Sequence, residues 1–377
     1  MSEVKFINTT NLKIARENLG LGTLTASKRI TAKKVDIVAE WEQGKSLPTW
    51  SQVSKLAKLY NISELLFFSK EGIEKNKTIP DYRVGIENNG DEKVKKLINT
   101  VIIRQRWLEK KLKAEGVNKN ELQGSGKNIN SPTKLADLIA EKLEINIKDI
   151  KNIRGSNARK EVLHYLINKI ENHNVFVGKT ISYHKLEVDD IRGLFVSNDY
   201  CPFIVLNRRD ALSAQIFSLT HELAHLFRRT DSISNSLDFR TTDNHINPEE
   251  IFCNKVAAEL LLPQNEFTER YYDKDEIHKV SETYKLSEMF IFYRLLELGR
   301  IRKDRRHSLE REIQAEMAEN IKAKTLKDKG REGGNYNLLM KDSNGALFNR
   351  VVGAAYYNNE ITYVEASSLL RFSAEAI

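Results

Sequence analysis

A short motif in the second half of the chain, His221-Glu222-Leu223-Ala224-His225, carries the residue types of a catalytic metal site. On a helix, residues four apart lie on one face, so His221 and His225 can direct ring nitrogens at a single metal ion. Glu222 then projects beside the ion, where its carboxylate can take a proton from water and return it to a leaving amine. The spacing predicts a zinc-dependent peptidase centre with Glu222 as catalytic base.

A catalytic zinc ion takes three protein ligands and keeps one position for water, so the motif needs one more ligand. Glu250 is favoured, because it opens the run 250–263, which reads as a helix able to pack beside the motif helix. Asp231 stands at the third-ligand spacing of some proteases, but Arg228 replaces the glycine that lets the chain turn there. The remaining alternatives are Glu249, Glu259, His245 and Cys253.

The segments around the motif predict the elements that must hold it. Three short runs rich in β-branched and aromatic residues, 175–177, 193–196 and 203–206, are typical of strands of one small sheet. Asp210 is a good N-cap, and the sequence after it predicts a helix through Phe227. Helical patterning dominates the rest of the chain. The predicted fold class is therefore mostly α with a small β-sheet, an α+β arrangement.

Two segments together resemble a known family. The run Ile216–His225, combined with the run Glu250–Pro263, is similar to the ImmA/IrrE zinc metallopeptidases, and the similarity extends over residues 165–300. The resemblance implies a zincin-like domain that binds Zn²⁺ and cleaves a protein substrate, such as a transcriptional repressor, antitoxin or similar regulator. The zinc ligands that it implies are His221, His225 and Glu250, with Glu222 as the catalytic carboxylate.

The first seventy residues predict a bundle of four or five short helices. Gly44 ends the third helix, Pro48-Thr49 opens the fourth, and Ser63 caps a fifth. The segments Trp41–Thr49 and Leu56–Tyr60 resemble the Xre-type helix-turn-helix, in which residues that open the third helix contact base edges. The contacts that this resemblance implies are Thr31, Lys33, Lys34 and Ile37 for bases, and Lys28, Arg29 and Lys45 for phosphates.

Acidic residues on the same third helix oppose that interpretation. The charges of Asp36, Glu40 and Glu42 repel DNA phosphates unless the side chains face away. The bundle therefore has two predicted partners, double-stranded DNA or another protein.

Composition sets the remaining expectations. The net charge of +8 and pI near 9.1 are compatible with a nucleic-acid partner. The two cysteines, Cys201 and Cys253, are too few for a disulfide framework, so metal ligands should be histidine and carboxylate. The chain has no apolar run long enough to span a membrane and no signal-peptide pattern at its start, so a cytoplasmic location without membrane contact is expected. Nothing in the sequence indicates an oligomeric state.

Four regions are predicted: a helix-turn-helix domain at 1–70, a connector and helical region at 71–164, a zinc metallopeptidase domain at 165–300 and a charged helical C-terminal region at 301–377. The favoured function is a zinc-dependent endopeptidase that the N-terminal module places at DNA or on a partner. One alternative is a DNA-binding transcription regulator or antitoxin-like protein in which zinc is structural or sensory. Another is an interaction component of a toxin–antitoxin or phage-defence system. For Tyr293 and Arg294, a packing or surface role is favoured over donation to the oxyanion of peptide attack.

Overall fold

The computed structural model describes residues 4, 6–31, 35–70, 72–76, 79, 89–180, 186–234, 247–328 and 336–376. Helices dominate these residues, which confirms the predicted class, mostly α with a small sheet. In chain order the helices are α1 (Thr9–Glu17), α2 (Thr23–Ile30), α3 (Ile37–Glu42), α4 (Trp50–Tyr60), α5 (Asn89–Ala114), α6 (Pro132–Lys142), α7 (Ile147–Asn152), α8 (Ala158–Glu171), α9 (Leu212–Arg228), α10 (Pro248–Leu261), α11 (Lys274–Tyr284), α12 (Glu288–Glu297), α13 (Arg306–Asp328), α14 (Tyr336–Asn344), α15 (Ala346–Tyr357) and α16 (Tyr363–Leu370).

A mixed sheet of four short strands lies in the middle of the chain. The strands are β1 (Phe176–Lys179), β2 (Gly193–Val196), β3 (Phe203–Leu206) and β4 (Ser232–Ser234), in the spatial order β1-β3-β2-β4. β1 runs parallel to β3, whereas β2 is antiparallel to both β3 and β4. β2 and β3 match the predicted strands, and β1 begins one residue later than predicted. β4 was not predicted.

Both faces of the sheet are covered, which explains why β2 and β3 are apolar throughout. Successive side chains of a strand point to opposite faces. Phe195 and Ile204 accordingly join the core that contains α8, α9 and α10, whereas Leu194 and Val205 join a second core with residues of α5, α15 and α16. The sheet therefore separates two hydrophobic cores, and the motif helix lies on one side of it.

The helix α9 carries the His-Glu-x-x-His motif through the larger core. It starts at Leu212 with Ala211 as N-cap, so the prediction of Asp210 as the cap was wrong. The Asp210 carboxylate instead pairs with Arg192, at 2.6 Å, just before β2. The helix ends at Arg228, one residue beyond the prediction, where Arg229 takes a left-handed conformation (φ 60°). That turn returns the chain to the sheet as β4.

The N-terminal helices α1 to α4 enclose a separate core around Trp41, Tyr60 and Phe67. The predicted boundaries hold here: Thr49 caps α4, and the Ser63 hydroxyl accepts the Leu65 amide at the start of a short 3-10 turn, Glu64–Phe67. We refer to residues 4–68 as the N-terminal module. It is tied to α5 by hydrogen bonds and ion pairs, including Asn61 to Thr100 (2.8 Å) and Arg29 to Glu92 (2.6 Å).

The C-terminal helices α14, α15 and α16 pack on the sheet side opposite α9. Glu171 of α8 accepts the Leu347 amide at the start of α15, and burial raises the pKa of this carboxyl. Gly345 passes so close to Val177 that a Cβ on the glycine would lie 2.0 Å from the Val177 carbonyl oxygen.

In the described part of the chain, no helix combines the length and apolarity that crossing a bilayer requires.

Candidate metal centre

The two motif histidines lie one turn apart on the buried face of α9, as their spacing predicts. His221 is 3% exposed and His225 is fully buried. Their Nε2 atoms are 3.1 Å apart, so both rings present a nitrogen to the same point. Buried imidazoles arranged in this way can donate two lone pairs to one cation.

Glu250 completes this group from α10, which packs directly against α9. Asn247 caps α10, and Pro248 occupies its first turn, so the helix begins just before Glu250. The Glu250 carboxylate oxygens lie 3.2 Å from His221 Nε2 and 3.0 Å from His225 Nε2. One ligand atom from each of the three residues falls within 4.8 Å of the others. This buried set of two imidazoles and one carboxylate can hold a metal ion, and its donor atoms are those that zinc prefers.

The charges in this group depend on one another. Burial disfavours the charged imidazolium of His221, but the neighbouring carboxylates of Glu250 and Glu222, together with Asn254, outweigh burial and raise the pKa of His221. Burial likewise favours the neutral acid of Glu250, yet the two histidines hold its pKa well below the ordinary range. A carboxylate that stays ionised is available as a ligand at neutral pH.

The other residues considered as third ligand are engaged elsewhere. Glu249 forms an ion pair with Arg228, at 2.9 Å. Asp231 accepts a hydrogen bond from the Ser197 amide. Glu259 pairs with Arg294 at 2.6 Å. Cys253 is a fully buried free thiol whose pKa is raised by burial, and His245 lies outside the described residues. Only Glu250 among the described alternatives meets the two histidines.

Two polar residues that the sequence did not single out support the histidine rings. Thr230 Oγ lies 2.8 Å from His225 Nδ1, and the Asn254 side chain is close enough to the His221 ring to raise the pKa of its imidazole. An acceptor at Nδ1 keeps the ring tautomer that presents Nε2 to a metal. Asn254 lies one helical turn after Glu250, so α10 supplies both a candidate ligand and a ring partner. No local pattern distinguishes Thr230 or Asn254 from an ordinary polar residue.

Glu222 is fully buried on α9 beside the three candidate ligands. Its Oε2 accepts a hydrogen bond from Ser232 Oγ of β4, at 2.6 Å. Gly193 of β2 faces its other oxygen, since a Cβ there would lie 2.2 Å from Oε1. A buried carboxylate next to a metal group, but outside that group, is the arrangement that a general base requires.

Tyr293 and Arg294 have internal partners, in keeping with the packing roles favoured for them. The Tyr293 hydroxyl donates to Glu310, at 2.6 Å. The Arg294 guanidinium is buried, donates to the Leu262 carbonyl at 3.2 Å, and pairs with Glu259.

In the N-terminal module, the described candidate DNA contacts lie near the surface. Lys45 is exposed just after α3, and Thr31 is half-buried at the end of α2. Arg29 is exposed but pairs with Glu92 of α5. The predicted base contacts Lys33 and Lys34 lie outside the described residues.

The acidic residues of α3 are held by groups of the module itself. Asp36 accepts hydrogen bonds from Thr23 (2.6 Å) and Ser27 (2.9 Å). Glu42 forms a two-point ion pair with Arg16, at 2.7 and 2.9 Å. These two carboxylates therefore turn into the bundle, whereas Glu40 is exposed and accepts a hydrogen bond from Ser46, the neighbour of Lys45.

A comparison with family models agrees with the site. Residues 177–296, about a third of the chain, match the model of a peptidase family described as the IrrE N-terminal-like domain. The matched segment contains His221, Glu222, His225 and Glu250. This match supports the resemblance to the ImmA/IrrE family and implies peptidase activity for that segment. Neither the curated proteins nor the solved structures gave a match.

Proposed function

We propose that the chain is a zinc-dependent endopeptidase. The observation that carries the proposal is the convergence of His221, His225 and Glu250 within 4.8 Å, beside the separate buried carboxylate of Glu222. A purely structural zinc site fills all four positions with protein ligands and has no use for an additional buried carboxylate. A site with three ligands and an adjacent base matches hydrolytic zinc chemistry instead.

The residues have distinct roles in this proposal. His221, His225 and Glu250 hold the ion. Bound there, zinc would polarise the scissile carbonyl and lower the pKa of the attacking water. Glu222 takes one proton from that water as the water oxygen adds to the carbonyl carbon. It then delivers this proton to the nitrogen of the leaving amine, and the peptide C–N bond breaks. Thr230 and Asn254 keep the ring nitrogens of the two histidines oriented toward the ion.

The substrate class in this proposal is a protein regulator, such as a repressor or an antitoxin. This part rests on the resemblance to the ImmA/IrrE family and on the N-terminal module that precedes the peptidase segment. The module would bring the catalytic segment to its target, either at DNA or on a partner protein.

Binding of double-stranded DNA by the N-terminal module is a second candidate function. The inward orientation of Asp36 and Glu42 favours it, because both carboxylates have partners within the bundle. Lys28 and Lys45 remain exposed on the module, where they can contact phosphates. Two of the three carboxylates that would oppose DNA are therefore held inside the bundle, and Glu40 alone of the three is exposed.

Metal content provides the first test of the proposed enzyme. We expect elemental analysis of protein purified without added metal to find about one zinc per chain, as a single three-ligand site requires. His221→Ala should lose this zinc. A control, His278→Ala, removes an exposed histidine that pairs with Glu288 at 2.5 Å, and should keep it. Zinc-free wild-type protein that also fails to take up added zinc would contradict the proposal and favour a non-catalytic regulator.

A further inference from the structure

The general base proposed above contacts two paired strands of the sheet, β2 and β4. Ser232 of β4 and Glu222 are both fully buried, and the hydroxyl donates to the carboxylate over 2.6 Å. This distance is at the short end of the range for a hydrogen bond between a hydroxyl and an oxygen acceptor. One oxygen of Glu222 is thus held by a neighbouring side chain.

The strand β2 approaches the other oxygen with its backbone alone. A Cβ on Gly193 would lie 2.2 Å from Glu222 Oε1 and 2.9 Å from the Cδ and Cγ atoms of the same side chain. Any residue larger than glycine would therefore push the carboxylate out of its place. Close approach of another group, and not a left-handed backbone, accounts for glycine at this position.

The turn after α9 contacts both functional positions of the motif. Thr230 bonds the His225 ring, Asp231 accepts the amide of Ser197 at the end of β2, and Ser232 bonds Glu222. Three successive residues therefore bond, in order, a candidate metal ligand, the end of β2 and the proposed base. Pairing of Ser232 with Phe195 across the β2–β4 ladder sets the position of the hydroxyl.

We propose that Ser232 is a positioning residue for Glu222, and that Gly193 provides the room in which the carboxylate sits. This inference rests on the proposed function and adds to it the source of the orientation of the base. A carboxylate bonded on one side and confined on the other has little rotational freedom, so its proton-accepting geometry is set before substrate binds. Misplacement of a catalytic group by about 1 Å can cost about a hundredfold in rate.

A binding experiment tests the proposal without a known substrate. Acetohydroxamic acid binds zinc through two oxygens and shares its acidic proton with an adjacent carboxylate, so its affinity reports where Glu222 sits. Calorimetric titration of the zinc-loaded full chain should show about tenfold weaker binding for Ser232→Ala, the effect of losing one hydrogen bond to a charged group. Zinc stoichiometry should stay at the wild-type value, because the three ligands are intact.

Matched variants separate positioning from a general packing defect. Ser232→Thr retains a hydroxyl and should recover most of the lost affinity. Gly193→Ala should weaken binding about a hundredfold, because its methyl group displaces the carboxylate. Ser281→Ala removes another buried hydroxyl, which lies on α11 and donates to the Leu286 carbonyl, and this variant should bind the hydroxamate as the wild type does. With a cleavable peptide, Ser232→Ala should lower kcat and leave KM unchanged.

The outcomes distinguish this inference from the proposed function. If Glu222→Gln loses hydroxamate affinity while Ser232→Ala and Gly193→Ala match the wild type, the positioning inference is overturned and the proposed function stands. If Glu222→Gln binds as tightly as the wild type, the base itself is misassigned and the proposed function fails. Loss of zinc from Ser232→Ala would also overturn the inference, because the serine would then act on the metal group and not on the base.

Discussion

The α9–α10 pair and the N-terminal module both carry residues with a predicted function, but in opposite environments. Between α9 and α10, His221, Glu222 and Glu250 are buried, and they meet partners from other elements. In the module, the predicted contact Lys45 is exposed. Asp36 and Glu42, two of the three carboxylates that would oppose DNA, have partners inside the bundle, whereas Glu40 is exposed.

This difference determines how specifically the structure of each region indicates a function. Burial of several ionisable groups costs free energy unless they pair or bind a cation, so their convergence points to a specific purpose. Exposed lysines carry no such free-energy cost. They do not indicate a particular partner, because an ordinary protein surface also carries them. The catalytic proposal therefore rests on internal geometry, whereas the DNA-binding proposal rests on which charges the fold turns away from the surface.

The largest effect should follow loss of the proposed base. Glu222→Gln keeps the shape of the side chain but cannot accept the proton, so peptide cleavage should fall about a thousandfold while zinc content is unchanged. Elemental analysis and a cleavage assay on the same preparation would measure both quantities. A variant that loses its zinc would show that Glu222 belongs to the metal group, contrary to the separate role given to it here.

A neighbouring pair of glutamates tests the metal group itself. Glu250→Ala should weaken zinc binding more than a hundredfold, beyond the effect of changes around the ligands. Glu249→Ala should leave zinc binding within about threefold of wild type, because that carboxylate pairs with Arg228 and not with the histidines. Competition with a zinc-binding dye gives both dissociation constants. Equal losses in the two variants would mean that the third ligand has been misassigned.

The sequence predicted the parts of the site that depend on local spacing. His221 and His225 share a helix face, and the predicted strands 193–196 and 203–206 lie where continuous apolar runs place them. β4 could not be predicted, because a run of three residues with serine at both ends becomes a strand only through its pairing with the edge of β2. The residue type of Asp210 favours a helix cap, but Ala211 is the cap, and no local pattern reveals the ion pair of Asp210 with Arg192.

Contacts between elements set the rest of the candidate site. The sequence favours Glu250 over Glu249 as third ligand, but only the packing of α10 against α9 shows that Glu250 lies near the two histidines and that Glu249 pairs with Arg228. Ser232, Thr230 and Asn254 gave no signal in the sequence, because their roles depend on a neighbour's ring or carboxylate. Glycine at position 193 is equally uninformative until Glu222 is placed beside it.

The stability of the N-terminal module should depend on a different buried charge pair. Glu42→Ala leaves the Arg16 guanidinium without its two-point partner, and we expect a loss of about 2 to 3 kcal/mol in the unfolding free energy of the module. This is less than for a fully enclosed pair, because Arg16 keeps some exposure. Hydrogen exchange of amides in α1 and α3 would report the change. Zinc content should stay the same, and its loss would show that the two regions depend on each other.

The smallest expected effect is that of an exposed lysine on DNA affinity. It decides whether the module binds double-stranded DNA or another protein. Binding of the full chain to a duplex of mixed sequence should weaken with salt, and Lys45→Glu should reduce affinity severalfold and lower the salt slope by about one. Fluorescence anisotropy at several salt concentrations measures both quantities. Lys13→Glu is the matched control, because it makes the same charge change on α1, which the helix-turn-helix resemblance does not place at the DNA. Equal effects of the two variants would mean that only net charge matters, and salt-independent binding would favour a protein partner. If Lys45→Glu alone alters the slope, then the surface that carries Lys45 is the one that contacts phosphates.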